Sequence, residues 1–411
     1  MKKLVFTVAL CFVVGMTFAQ KKAISAAKNE IKSDKPNIEE ARNLIKGAME
    51  NPETKDNAET YYVAGLIENK QFDIEKIKEA LGQKPNDAVM YKSLGAILPY
   101  FLKADQLDQL PDEKGKVKPK FRKDMKSYLS ANHPYYRNGG VYYNDQKDFK
   151  EAYNFFMTYL EIPKLPMFEG DKLMAASMQD SAYLEIKYYA AIIASQLGDD
   201  DGHKKAIALY ESLKNEGFKQ NEVYQYLCYE YEQTKDTVNL VKTLKEGVKL
   251  FPDEQYYSLS LINQYIFANQ NDVAIEYLNE AIAKKPNDAQ LLDVLGRIYE
   301  NKGEIEKAIG YFQKALEINP NYDEAQRDMG RIYYNRAVEA QAAASSISDN
   351  KLYNEAITKV KDLFKQALPY FEKAHELKPD DRECMNTLRS IYYVLGMGEQ
   401  LEKIEKEING K

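Results

Sequence analysis

Residues 289–322 read AQLLDVLGRIYENKGEIEKAIGYFQKALEINPNY. Leu292, Leu295 and Tyr299 recur at intervals of three and four, which places them on one face of a first helix. Gly303 punctuates a turn, and Ala308, Phe312, Ala315 and Leu316 form the apolar stripe of a second helix. Pro320 cannot continue that helix and biases Asn319 away from helical angles, so the second helix ends there. Gly296 and Ala308 are small where the two helices face each other, which leaves room for the rings of Tyr299 and Phe312. A leucine at either place should overpack the contact by ~1–3 kcal/mol. One such pair cannot bury its own apolar faces, so the pattern demands neighbours.

The neighbours are in the sequence. The same offsets return at a spacing of 34 residues as Leu261, Ile262, Ala274, Leu278, Ala281 and Pro286, and before them as Leu227, Cys228, Tyr231, Leu244, Gly247 and Pro252. A third step gives Ile193, Ala194, Leu197, Ala206 and Tyr210, without the proline. The pattern of Leu-Gly, then Tyr, then Ala and Phe four apart, then Pro, resembles the tetratricopeptide repeat. That resemblance implies an all-α fold: a right-handed α-solenoid of about nine tandem helix-turn-helix units.

Four regular units are expected over 187–322, and degenerate units with insertions over 22–186. In the latter, Gly140, Tyr143, Ala152 and Phe156 mark a unit starting near His133, followed by an insertion around Lys164 to Asp180. Leu94 and Gly95 mark another starting near Ala88, with a charged loop from Ala104 to Lys120 where its turn should be. Gly65 with Tyr61 marks a shorter unit, and Ala41, Ile45 and Ala48 the first. After 322, Met329, Gly330 and Tyr333 open a unit whose second helix appears only at Ala367, Phe371, Ala374 and Pro379, an insertion of 25 residues. This unit, 323–381, is expected to carry both helices about three turns further, at 1.5 Å per residue, into one elongated hairpin near the C-terminus. Residues 382–411, with Leu388, Tyr392 and Gly396, should close the array as capping helices. Asp and Asn after the unit-ending prolines (Asp253, Asn287, Asp288, Asn321, Asp380, Asp381) are placed to cap the next helix.

The chain has 411 residues, a formal net charge of −6, and is 44% hydrophobic and 29% charged, a balance that excludes both a disordered and a membrane-embedded class. Lys2 and Lys3 precede an apolar run from Leu4 to Thr17-Phe18-Ala19, the pattern of a signal peptide over 1–19 cut ahead of Gln20. The run is short for a membrane anchor, so no membrane span is expected after cleavage. Loss of Lys2 and Lys3 moves the net charge from −6 to −8, a poor balance for nucleic acid. The cleavage region and the Lys, Asn and Tyr richness resemble exported proteins of the Bacteroidota, which implies a periplasmic, outer-membrane-associated or secreted protein. Cys228 and Cys384 lie too far apart along the stack to bridge each other.

No catalytic constellation is legible. His133, His203 and His375 fall in different units and share no metal-ligand spacing. Asp199, Asp200, Asp201, Gly202 and His203 resemble a calcium loop, but Leu197 and Ala208 would then stand where carboxylates are required. No enzyme activity, cofactor or metal is expected. The family resemblance implies a face lined by the first helices, at the second, fifth, ninth and twelfth offsets of each unit. On this sequence it yields a candidate peptide-binding groove of Tyr229, Asn263, Arg297, Arg327, Arg331 and Tyr334. Arg297, Arg327, Arg331 and Tyr334 form in this reading a basic, aromatic-edged patch that receives a partner's carboxylate through forked hydrogen bonds. In a second reading the arginines are solvated and paired with Asp293, Glu300, Glu324 and Asp328. The implied function is a non-catalytic interaction scaffold of the cell envelope with a protein or peptide partner. The alternative is an assembly chaperone or accessory subunit of an envelope or secretion complex, docking through the long hairpin. Partner identity and oligomeric state are open.

Overall fold

A computed structural model describes residues 22–410 apart from Glu113, and the signal-peptide pattern of 1–19 lies outside the described residues. Helices and short turns make up the regular structure of the described residues, with no strand among them. The chain divides into two compact units, Met1–Thr243 and Leu244–Lys411.

The first unit opens with α1 (22–30), α2 (Ile38–Glu50), α3 (Ala58–Ala80), α4 (Asp87–Asp108), α5 (Arg122–Asp145) and α6 (Phe149–Glu161). It continues with α7 (Lys172–Ser177), α8 (Ser181–Gln196), α9 (Asp200–Leu213) and α10 (Gln220–Gln233), and the division falls within α11 (Thr237–Leu250). The second unit holds α12 (Gln255–Phe267), α13 (Asn271–Lys284), α14 (Ala289–Asn301), α15 (Ile305–Ile318), α16 (Asp323–Ala344), α17 (Asn350–Leu377), α18 (Arg382–Leu395) and α19 (Gly398–Ile408).

One joint recurs in four pairs: a glycine on the first helix lies beneath a ring on the second. A Cβ placed on Gly296 of α14 would stand 2.6 Å from the Phe312 ring of α15, and one on Gly330 of α16 would stand 2.9 Å from the Phe371 ring of α17. In the first unit the same relation holds for Gly140 and Phe156 at 2.2 Å and for Gly65 and Phe101 at 2.3 Å. Only a hydrogen at these positions lets the backbone approach a ring this closely. The turn after the first helix is also periodic. Lys235, Asn269 and Gly303, spaced by 34 residues, have φ of 56°, 55° and 77°, the left-handed region that glycine enters without steric cost.

Joint geometry corrects two expectations in the first unit. The Leu94-Gly95 signature does not open a pair of its own: it lies on α4, the partner of α3, because Phe101 of α4 covers Gly65 of α3. Gly95 is small for a different contact: a Cβ there would stand 3.1 Å from the Phe155 ring of α6. The helix expected to start near His133 begins at Arg122. Asp108 makes that start, since its carboxylate accepts from the amides of Lys120 (2.7 Å) and Phe121 (2.8 Å). The insertion around Lys164 to Asp180 follows a 3-10 turn at Ile162–Lys164, folds into a second at Pro166–Phe168 and α7, and buries Met167, Phe168 and Met174 in the unit's core.

In the second unit, α16 and α17 run for 22 and 28 residues against 13 and 14 in α14 and α15, so the second helix takes the larger share of the insertion. Asp349 caps α17 through the amide of Leu352 (2.9 Å). Of the post-proline residues, Asp288 and Asp381 cap α14 and α18, whereas Tyr322 holds the N-cap position of α16 with no side-chain bond. Cys228 and Cys384 are both buried.

Candidate partner-binding face

The first helices α14 and α16 of the second unit carry the candidate arginines, and α18 is the next first helix. Arg297 on α14 reaches Asp293 one turn back, with Nη2 to Oδ2 at 2.7 Å, and approaches Asp328 of α16 at 3.4 Å. Arg331 on α16 reaches back to α14 and grips Glu300 with both terminal nitrogens (2.5 and 2.9 Å), while Nη2 also meets Asp328 at 2.8 Å. Arg327 extends forward to Asp381 at 3.2 Å and lies 3.9 Å from Asp323. Lys378 closes the set on Asp323 (2.6 Å) and Glu324 (3.5 Å). Two clusters result, each of two cations and three carboxylates: Arg297 and Arg331 with Asp293, Asp328 and Glu300, and Arg327 and Lys378 with Asp323, Asp381 and Glu324.

None of the three guanidiniums is a free cation, and the forked geometry anticipated for a partner's carboxylate is already taken by Glu300. Burial works against the charge of Arg331, but its hydrogen bonds to Glu300 and Asp328 outweigh that cost and hold its pKa above the ordinary guanidinium value. Asp293 is the strained member. It is fully buried, and its Oδ1 has no hydrogen-bond partner among the described residues. Burial pushes its pKa up to about 7, with Arg297 opposing and the like charge of Asp328 adding to the shift.

Tyr334 belongs to this neighbourhood, packed edge-on to Phe364 (5.5 Å) and Phe371 (6.3 Å) of α17. Beside it, between α16 and α18, lies a hollow of about 350 Å³ open to solvent, lined by Arg327, Asp328, Arg331, Tyr334, Asn335, Phe371, Glu383, Cys384 and Thr387. The Cys384 thiol is pushed up to about 12 by burial and donates to the Phe371 carbonyl (3.4 Å), so it offers no thiolate. Asn263 is exposed on α12, and Tyr229, 45% exposed on α10, belongs to the other unit. The structure therefore brings together Arg297, Arg327, Arg331 and Tyr334.

Sequence reasoning missed the α18 wall of the hollow and the role of Asp381. Its position after Pro379 signalled the helix cap, which Oδ1 provides, but gave no sign that Oδ2 takes Arg327. The 25-residue insertion displaces Phe371 and Glu383 from the 34-residue register that located the arginines.

The histidines have local partners. His133 is buried, with Nε2 at 2.8 Å from the Tyr159 carbonyl and its ring stacked on Tyr159. His203 pairs with Glu230 (2.7 Å) and His375 with Glu407 (2.9 Å). Among the described residues, no group of three or more His, Cys, Asp and Glu is placed to hold a metal ion, and no helix is long and apolar enough to cross a membrane.

A family model described as tetratricopeptide repeat matches residues 294–322, from within α14 through α15. No curated protein matches the chain. Among solved structures, a tetratricopeptide-repeat protein of Bacteroides fragilis NCTC 9343 is similar at 18% identity, covering 64% of this chain and 98% of its own, with a TM-score of 0.31. MamA from Desulfovibrio magneticus RS-1 is similar at 19% identity, covering 44% and 96%, with a TM-score of 0.30. A further crystal structure of MamA gives 22% identity, 46% and 97% coverage and a TM-score of 0.32. The family match is seated on the Gly296–Phe312 joint, so residues 294–322 form a tetratricopeptide repeat, and that joint recurs in other helix pairs of both units of an all-α chain.

Proposed function

We propose that the protein is a non-catalytic protein–protein interaction scaffold of the cell envelope, exported by its N-terminal leader, and that a partner segment docks on the first-helix face of the second unit. The observation that carries this reading is the open hollow between α16 and α18, where aromatic, carboxylate, amide and hydroxyl groups converge on one side of the stack. Tetratricopeptide arrays use repeated first helices as a continuous surface, and fold alone does not select the ligand. The test is crosslinking in envelope extract with a photoreactive amino acid at Asn335, against the same residue placed at the exposed Lys314 of α15. A partner captured at Asn335 and lost at Lys314 supports docking in the hollow. Equal capture at both positions sinks it.

A second reading places docking on the long hairpin, whose α16 and α17 leave Val338, Leu352 and Tyr353 exposed at 43%, 55% and 41%. Replacing 340–362 with a short turn separates the two. A partner lost while the circular dichroism melt is unchanged favours the hairpin, and a partner retained favours the hollow.

A further inference from the structure

The hollow between α16 and α18 has the lining of a cation pocket, even though two arginines take part in it. Both are drawn outward: Arg331 to Glu300 on α14 and Arg327 to Asp381 at the start of α18. Their charges are already met, and each belongs to its own cluster of three carboxylates against two cations. Glu383 adds a further carboxylate at the rim and has no ion-pair partner among the described residues. An incoming carboxylate finds both arginines already paired with carboxylates and meets this surplus of negative charge. For an incoming cation the balance is reversed.

The floor supplies the second half of the argument. Tyr334 and Phe371 present aromatic rings inside the hollow, flanked by the Asn335 amide and the Thr387 hydroxyl. The Thr387 hydroxyl donates to the Glu383 carbonyl at 3.0 Å, which turns its lone pairs outward as acceptors. Rings, carboxylates and acceptor oxygens around one space are what a lysine or arginine side chain needs: an aromatic surface for its stem and charge, and acceptors for its head.

We propose that this hollow receives a lysine or arginine side chain of the docked segment, so that the face selects cationic partners. The inference rests on the docking reading given above and adds the charge of the ligand to it. The carboxylate of Glu383 holds the head of the incoming side chain, and Tyr334 lies along its stem.

The experiment uses the full mature chain and two labelled peptides, one of alternating Lys and Ala and one of alternating Glu and Ala, titrated by fluorescence anisotropy at low and high salt. The Lys peptide binds and weakens as salt rises, loses affinity about tenfold in Glu383→Gln, and loses more in Glu383→Lys, with melting curves superimposable on the parent. Equal binding of the Lys peptide to the parent and Glu383→Lys overturns the pocket. Tighter binding of the Glu peptide overturns the charge assignment and leaves the docking face standing. Binding of neither peptide counts against the docking reading itself.

Discussion

The two units make the same joint from different sequence intervals. In the second unit Gly296 and Phe312 are 16 residues apart and Gly330 and Phe371 are 41 apart; in the first, Gly140 and Phe156 are 16 apart and Gly65 and Phe101 are 36 apart. The ring-over-glycine contact therefore recurs in these four pairs while helix length varies around it. What differs is how neighbouring first helices are tied. Between α3 and α5 the link is neutral and buried: Asn132 donates to Asn69 at 2.6 Å, with the two residues 2% and 4% exposed. Between α14 and α16 it is the half-exposed Arg331 gripping Glu300. The Asn132–Asn69 link is one that solvent conditions barely reach, and the Arg331–Glu300 link one that salt can change.

The severest challenge to this equivalence is removal of the ring. Phe101 and Phe312 are both fully buried, so Phe101→Ala and Phe312→Ala should each cost about 3–5 kcal/mol through lost transfer energy and the cavity left behind. Hydrogen exchange locates the damage: α3 and α4 lose protection in the first variant, α14 and α15 in the second. Protection of α3 unchanged in Phe101→Ala would mean that α4 is not its structural partner. A finer test exploits the position one repeat earlier, where Ile262 and Leu278 occupy the places of Gly296 and Phe312 and are both fully buried. Gly296→Ile alone should overpack the joint by ~1–3 kcal/mol. Combined with Phe312→Leu it should recover a measurable part of that loss in a chemical melt, because the volume is exchanged across the joint. A double variant no better than the single one rules out such exchange.

These joints also explain what was legible in the sequence. From 187 to 322 the interval between joint partners is constant, so periodicity alone revealed the pairs. It failed at Leu94-Gly95 because a glycine that faces a ring on a neighbouring pair looks the same in sequence as one that opens its own pair. The turn after each first helix was readable at Gly303, which advertises left-handed backbone, and invisible at Lys235 and Asn269, which adopt it under tertiary constraint. For the candidate site, offsets placed Arg297, Arg327 and Arg331 on one face, but their electrostatic state depends on which carboxylates lie across the helix gap. Asp381 and Asp323 approach Arg327 through packing that no spacing rule encodes.

Acidity probes the second unit's face more gently. The buried Asp293 carboxyl titrates near 7 in the folded chain and near 4 when unfolded, so the folded state binds its proton more tightly. Stability from this group is greatest below about pH 4, declines as pH rises through the window between those two values, and is level above it. Asp293→Asn should remove that decline and raise stability at pH 8 by on the order of 2 kcal/mol, Arg297 keeping Asp328 as its partner. The measurement is the difference in melting temperature between variant and parent at pH 5 and pH 8. A difference that does not grow with pH would show that Arg297 keeps Asp293 ionised throughout.

The smallest effect separates the two kinds of tie most cleanly. Arg331→Gln removes a forked pair whose arginine side chain is 41% exposed. Screening and side-chain entropy limit the worth of such a pair to about 0.5–1 kcal/mol at low ionic strength. At 1 M salt, where the screening length falls to about 3 Å, the difference between variant and parent should nearly vanish. Asn132→Ala breaks a neutral amide link in a buried setting, so its cost should stay the same at both ionic strengths. The contrast depends on the sign and salt dependence of the two differences, not on their size. A salt-insensitive loss in Arg331→Gln would mean that the arginine acts through the packing of its stem against α14, and the two first-helix faces would then be held together by the same kind of contact.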